Sequence, residues 1–354
     1  MHRFAFVVHP LVARDALVKF PALRFLPDFA LEALLKRKSP GVMSHITGIR
    51  SKTGAETEGW FIGCPLTAKQ LVRLDQDFVV ERLAQCAQIA HELGAEVMGL
   101  GAFTSVAGDG GVTLATKTPV KITTGNSYTV ATAIEATIKA CEMVGLDPSH
   151  ATLAVVGATG SIGRTCAEAL GPLFERALLV GRDLAKTQAL VPEVPRSEAT
   201  TDVAHVAEAE VIVTVTSSET PVLQPKHFRP GAIVCDVARP RDVSVAVAKE
   251  RSDVLVIEGG VVRVPGSVEF GFDFGFPPGT AYACMAETMM LALDGRIESF
   301  TLGKSVSLEQ VRTTQALAAK HGFELAGFRS FEREVEPAMI DRARRARQSL
   351  ATAT

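Results

Sequence analysis

The feature that most restricts this chain is the heptapeptide Gly157-Ala158-Thr159-Gly160-Ser161-Ile162-Gly163, set between a short apolar run at 153–156 and a helical stretch at 164–173. A second apolar run follows at 177–180, so strand, turn, helix and strand form a βαβ unit. Further apolar runs at 211–215, 232–235 and 254–257, each separated by a helix or turn signal, extend it into a parallel sheet. Glycines at this turn permit the sharp change of direction and the close approach of a pyrophosphate. The free N–H groups and positive end of the following helix attract its charge. The spacing is G-x-x-G-x-x-G, a variant of the commoner G-x-G-x-x-G, and a ligand-free tight turn is the competing reading.

All seven residues, Gly157 to Gly163, are therefore expected to bind cofactor. After the second strand, where an acidic residue usually serves the ribose hydroxyls of NAD, the chain has Gly181-Arg182. The Arg182 guanidinium suits a 2′-phosphate, so NADPH is the expected cofactor, with Asp183 available to the ribose. Thr214, Thr216 and Ser217 follow a later strand, where the nicotinamide half commonly rests; capping of local turns is an equal alternative for them.

At 354 residues the chain is long enough for two domains. The expected fold is α/β: a Rossmann-type doubly wound parallel sheet with a second α/β substrate domain. Residues 129–277 are assigned to the NADP-binding domain, and 1–128 plus 278–354 to the substrate domain. In the latter, 3–8 reads as a strand ending at His9-Pro10, 77–93 as a helix stopped by Gly94, and 96–100 as a strand. The turn at 123–127 leads into a helix at 128–144, the segment 265–279 crosses back, and 282–293 reads as a helix stopped by Asp294-Gly295.

Composition excludes several classes. Hydrophobic residues at 47% and charged residues at 21% describe a globular chain, and a net charge of −2 gives no bulk attraction for nucleic acid. No run approaches the ~20 apolar residues of a transmembrane segment, and the start lacks a signal-peptide pattern, so a cytoplasmic protein is expected. The six cysteines show no C-x-x-C spacing, which suggests neither a disulfide framework nor a metal site.

One cysteine differs in setting. Cys284 falls in the first turn of the helix after Phe276-Pro277-Pro278-Gly279, where the helix N-terminus stabilises a thiolate. A small buried hydrophobe is the bland alternative for any such cysteine. His9 and His45 are candidate acid groups, against the alternative of hydrogen-bonded structural residues.

Leu100-Gly101-Ala102-Phe103-Thr104-Ser105, Thr123-Thr124-Gly125-Asn126-Ser127-Tyr128-Thr129, the glycine turn, Glu258-Gly259-Gly260 and Tyr282-Ala283-Cys284-Met285-Ala286-Glu287 together resemble the long-chain acyl-(acyl-carrier-protein) reductases of cyanobacteria. The segment before Gly99 and the Arg-rich tail after Phe331 lie outside the match. The resemblance implies that Cys284 takes the acyl group from a thioester, that NADPH delivers hydride, and that a fatty aldehyde leaves. It implies further that Ser105 and Thr104 line the site and that Asn126 orients substrate or nicotinamide. The acyl donor is then an acyl carrier protein or acyl-CoA. Arg329, Arg333, Arg342, Arg344, Arg345 and Arg347, partly on a helix at 337–349, offer positive charge for an acidic carrier; a solvated helix balanced by Glu332, Glu334 and Glu336 is the plainer reading. Two other functions stay open: a shikimate- or amino-acid-type NADP-dependent dehydrogenase without a covalent intermediate, and a non-enzymatic NADP-binding protein. The oligomeric state is open as well.

Overall fold

The computed structural model describes residues 1–18, 21–271, 273 and 275–351. The chain divides into two compact units. The first takes Met1–Gly125, Arg263–Lys304 and Thr313–Glu324; the second takes Asn126–Val262, Ser305–Arg312 and the chain from Leu325 onward.

In the first unit, β1 (Arg3–Val8), β2 (Gly41–Arg50), β3 (Glu56–Gly63), β4 (Val97–Gly99) and β5 (Lys121–Thr123) join a later strand, Gly266–Glu269, in one sheet. From that later strand the order runs through β2, β3, β1 and β4 to β5. β1 pairs parallel with β3 and β4, and β4 with β5, while β2 and the strand Gly266–Glu269 are antiparallel. Phe4 to Val7 of β1 are buried in succession, as a central strand covered on both faces requires.

Helix α1 (Asp28–Arg37) precedes β2; α2 (Ala68–Arg73), α3 (Gln76–Glu92) and α4 (Val112–Lys117) follow β3. Asp75 caps α3 by accepting from the Phe78 N–H at 3.1 Å. Val79, Leu83, Cys86, Ala87 and Ala90, at helical spacing, pack into the core. The β2–β3 hairpin had no expectation in the sequence. Only Ile46 and Ile49 of β2 are buried, and two register shifts break the alternation that marks a half-buried strand.

The second unit opens with α5 (Asn126–Val144), which begins two residues before the expected 128. It continues through β6 (Thr152–Val156), α6 (Ser161–Leu170), β7 (Arg176–Val180), α7 (Leu184–Gln188), β8 (Ser197–Thr200), β9 (Val211–Thr214), β10 (Ile233–Asp236), α8 (Val245–Glu250) and β11 (Leu255–Glu258). The strands run β8-β7-β6-β9-β10-β11, every pair parallel. Alternate residues Ala154, Val156, Leu178, Val180, Ile212, Val234 and Val256 fill one face of the core.

The domain boundaries differ from expectation at both ends. Residues 263–277, expected in the nucleotide domain, join the first unit because Gly266–Glu269 pairs along β2. The tail from Leu325, expected in the substrate domain, joins the second. Its helix Pro337–Ala351 is fastened there by Arg344, which donates to the Met143 carbonyl at 2.5 Å, and by Arg342, which donates to the Ser252 carbonyl at 3.2 Å. The Arg347 side chain lies against Gly231. Part of the basic charge thus closes the fold.

Further along the returned segment of the first unit, α9 (Ala283–Asp294) is stopped by Gly295 in the left-handed conformation. Among the described residues no helix is long and apolar enough to cross a membrane, and no cluster of His, Cys, Asp or Glu has the makings of a metal site.

Candidate functional site

Cys284 is the second residue of α9, and Tyr282 caps that helix without a side-chain hydrogen bond. The first N–H groups of a helix lack intrahelical partners, so the field at this sulfur favours an anion. Of the six cysteines, the other five are buried and Cys284 is partly exposed. Burial pushes the Cys141 and Cys235 thiols up to about 12 and raises Cys166 as well, which makes them inert at neutral pH.

Glycines let two pieces of backbone, the turn at Gly125 and the stretch Gly99–Gly101, approach the first turns of α9. A Cβ added at Gly125 (φ +72°) would lie 2.4 Å from both Cα and Cβ of Cys284, and one at Gly101 would lie 3.8 Å from its Sγ. One turn further on, a Cβ at Gly99 would meet Thr288 Oγ1 at 2.2 Å. Ala102 beside Gly101 holds φ +47°, a conformation rare for residues with a side chain and often found where function demands it.

Thr104 is wholly buried, and its hydroxyl is spent on Gly101: it accepts from the Gly101 N–H at 2.9 Å and donates to the Gly101 carbonyl at 2.8 Å. Ser105 donates to the Ala102 carbonyl at 2.7 Å. Both side chains therefore shape the loop that faces the sulfur. Asn126, next to Gly125 in the chain, is buried and opens α5 in the second unit.

His9 and His45 take structural places. His9 Nδ1 bonds the Pro10 carbonyl at 3.0 Å and Nε2 accepts from the Phe103 N–H at 3.3 Å, which uses both ring nitrogens; burial holds its pKa below the ordinary range. The two bonds together require the neutral ring. His45 stacks on Trp60 at 5.1 Å and meets Glu58 at 3.1 Å.

In the second unit the glycine turn leaves β6 at the point where strand order reverses between β7 and β9, the usual ligand position of such sheets. Gly157 has φ +87°, and a Cβ there would lie 2.5 Å from the Val215 carbonyl oxygen. A Cβ at Gly163 would lie 2.2 Å from the Gly157 oxygen. The Gly157 and Ala158 N–H groups are taken by the Val180 carbonyl at 2.9 and 3.1 Å. Gly160 caps α6 without a side chain, which leaves the helix-start N–H groups of Ser161, Ile162 and Gly163 for an anion. Thr159 is exposed beside them. These residues fit the pyrophosphate of a dinucleotide.

Arg182 is exposed just beyond β7 and has no hydrogen-bond or ion-pair partner among the described residues. Asp183, proposed for the ribose, caps α7 by accepting from the Lys186 N–H at 3.1 Å. Thr214 and Thr216 both donate to Asp242, at 2.7 and 2.5 Å, and the Thr216 N–H adds a third bond at 2.7 Å. The hydroxyls of both threonines are thus engaged with a remote carboxylate, and Thr216 Oγ1 also accepts from the Ser218 N–H at 3.1 Å. Ser217 is exposed beside them.

Two of the buried carboxylates, Asp236 and Asp242, carried no signal in the sequence, whereas Glu258 and Glu287 stood within motifs of the family resemblance without a role of their own. Asp242 orders the loop after β9. Asp236, at the end of β10, accepts from the Ala238 and Val243 N–H groups at 3.1 and 3.0 Å, and burial pushes its carboxyl up to about 6. Glu258, in the Glu-Gly-Gly segment, ends β11 in ion pairs with Arg239 at 3.3 Å and Arg241 at 3.4 Å. Glu287 is buried in α9.

Strand order, switch-point glycine turn and uncapped helix define the class: the second unit carries the dinucleotide-binding fold of nicotinamide-dependent dehydrogenases and reductases. A family model for shikimate/quinate 5-dehydrogenase matches residues 140–258, within this unit. The chain is similar to the aminotransferase PigE of Serratia sp. (strain ATCC 39006), 30% identical over 94% of this chain and 41% of that protein, so it spans less than half of that relative's length. It is also similar to the long-chain acyl-(acyl-carrier-protein) reductase of Synechococcus elongatus, 26% identical over 80% of this chain and 87% of that one. Among solved structures, L-tryptophan dehydrogenase from Nostoc punctiforme aligns with all of this chain and 89% of its own at a TM-score of 0.43 and 10% identity.

Proposed function

We propose that this chain is an NADPH-dependent reductase that takes the acyl group of a long-chain thioester onto Cys284 and releases a fatty aldehyde. The observation that carries the reading is the setting of Cys284: the one cysteine outside the core, at a helix start and faced by glycine backbone. Similarity to the Synechococcus reductase over most of both chains supports the substrate class.

In the first half-reaction the thiolate attacks the thioester carbonyl, N–H groups in the first turn of α9 stabilise the oxyanion, and the bond to the donor sulfur breaks as the new C–S bond forms, so that the donor leaves as its thiolate. NADPH, when bound at the α6 turn with Arg182 at its 2′-phosphate, supplies the hydride for the second half. The C–S bond to Cys284 then breaks, the aldehyde departs and the thiolate is restored. The acyl donor is an acyl carrier protein or CoA.

Aldehyde formation from both donors by the wild type and by Cys284→Ala is the test. The reading predicts loss of nearly all activity in the variant; an undiminished rate sinks it. Arg182→Ala should weaken NADPH far more than NADH, and equal losses count against this site for the 2′-phosphate. The match to the shikimate/quinate dehydrogenase model favours a second reading, hydride exchange at a C–H bond without a covalent intermediate. On that reading Cys284 is dispensable.

A further inference from the structure

Glu287 occupies a place that apolar packing would otherwise give to a hydrocarbon. It lies three residues after Cys284 in α9, is wholly buried, and has buried Met285, Ala286, Met289 and Met290 along the same helix. A carboxyl group removed from water is stable where hydrogen bonds replace its hydration. Here Oε1 accepts from Thr123 Oγ1 at 2.5 Å and from Thr301 Oγ1 at 3.0 Å. Thr123 Oγ1 in turn accepts from the N–H groups of Thr301 at 3.2 Å and Gly125 at 3.4 Å, and the Thr124 N–H donates to the Thr301 carbonyl at 2.9 Å. Three stretches of chain, α9, the turn after β5 and the segment at Thr301, meet at one carboxylate oxygen.

This clamp holds the turn that rests on the cysteine. Gly125 approaches Cys284 so closely that no side chain fits between them, so any displacement of the turn bears on the backbone carrying the sulfur. We infer that Glu287 is a positioning residue of the thioester site, fixing the Thr123-Thr124-Gly125 turn against Cys284 and thereby the orientation of its sulfur. The inference rests on the reading of Cys284 as the nucleophile, and Glu287 acts through the two threonines.

Glu287→Ala and Thr123→Val each remove the linkage. Each is expected to lower kcat by about tenfold or more with little change in KM, since small misplacements of reacting groups are costly. The double variant should be no slower than the worse single variant, because both break the same linkage. Glu287→Gln keeps Oε1 and should recover most of the lost rate. Alkylation of Cys284 by iodoacetamide, followed by intact mass across pH, should shift its midpoint in Glu287→Ala and Thr123→Val. Met290→Ala, a cavity in the same helix outside the clamp, should lower the melting temperature and leave that midpoint in place. The inference is overturned if the two single variants alkylate with the wild-type rate and midpoint, or if their kcat losses multiply in the double variant. If the wild type accepts no acyl group on Cys284 while alkylation still depends on Glu287, the clamp is upheld and the nucleophile reading fails.

Discussion

Gly125 is the residue on which the cysteine site is most exposed to a single change. Alanine there must hold φ +72° and place its Cβ 2.4 Å from two carbons of Cys284, so backbone has to shift. Left-handed strain and overpacking together should cost about 2–4 kcal/mol, and urea unfolding measures the loss. Asp236 gives a pH signature. Its folded pKa of about 6 stands above the ordinary 3.8, so its contribution to stability is full below about pH 4 and is lost as pH rises through 6. The span is about 3 kcal/mol, and Asp236→Asn should flatten the corresponding slope in urea midpoints between pH 4 and pH 7. Neither carboxylate cluster was legible in the sequence. The partners of Glu287 and Asp242 are local in space and remote along the chain: Thr123 is 164 residues from Glu287. A lone acid in the apolar run of α9 was the available signal, and a single residue names no partner.

At the scale of elements, the glycines of the nucleotide turn are not equivalent. Gly163→Ala drives a Cβ to 2.2 Å from the Gly157 carbonyl oxygen, backbone against backbone, whereas at Gly160 the nearest such atom is 3.3 Å away. Gly163→Ala should therefore weaken NADPH binding at least about tenfold and destabilise the unit by about 1–3 kcal/mol. Gly160→Ala should be the milder of the two on both measures, read by fluorescence titration and urea unfolding. Strands β6, β7, β9, β10 and β11 of the parallel sheet were legible as short apolar runs, β9 and β10 being buried at every residue, whereas the edge strand β8, with no buried residue, was not. The β2–β3 hairpin was not, since β2 carries Ser44, His45 and Thr47 with few buried positions. Helix stops at Gly94 and Gly295 were readable from the sequence, and both glycines hold positive φ.

For the whole molecule, two units and a nucleotide-type fold in the second follow from length and the glycine turn, but the path of the chain between the units does not. The return at Arg263 is set by pairing of Gly266–Glu269 with β2, and the tail joins the second unit through arginine bonds to backbone carbonyls. A charge run in sequence shows neither. The chemistry proposed for the molecule turns on one covalent event. The protein is mixed with a long-chain acyl thioester in the absence of NADPH, and its intact mass is recorded. The account predicts a gain equal to one acyl group, mapped to Cys284 and discharged when NADPH is added. An unchanged mass, under conditions where the same preparation forms aldehyde once NADPH is present, would contradict it.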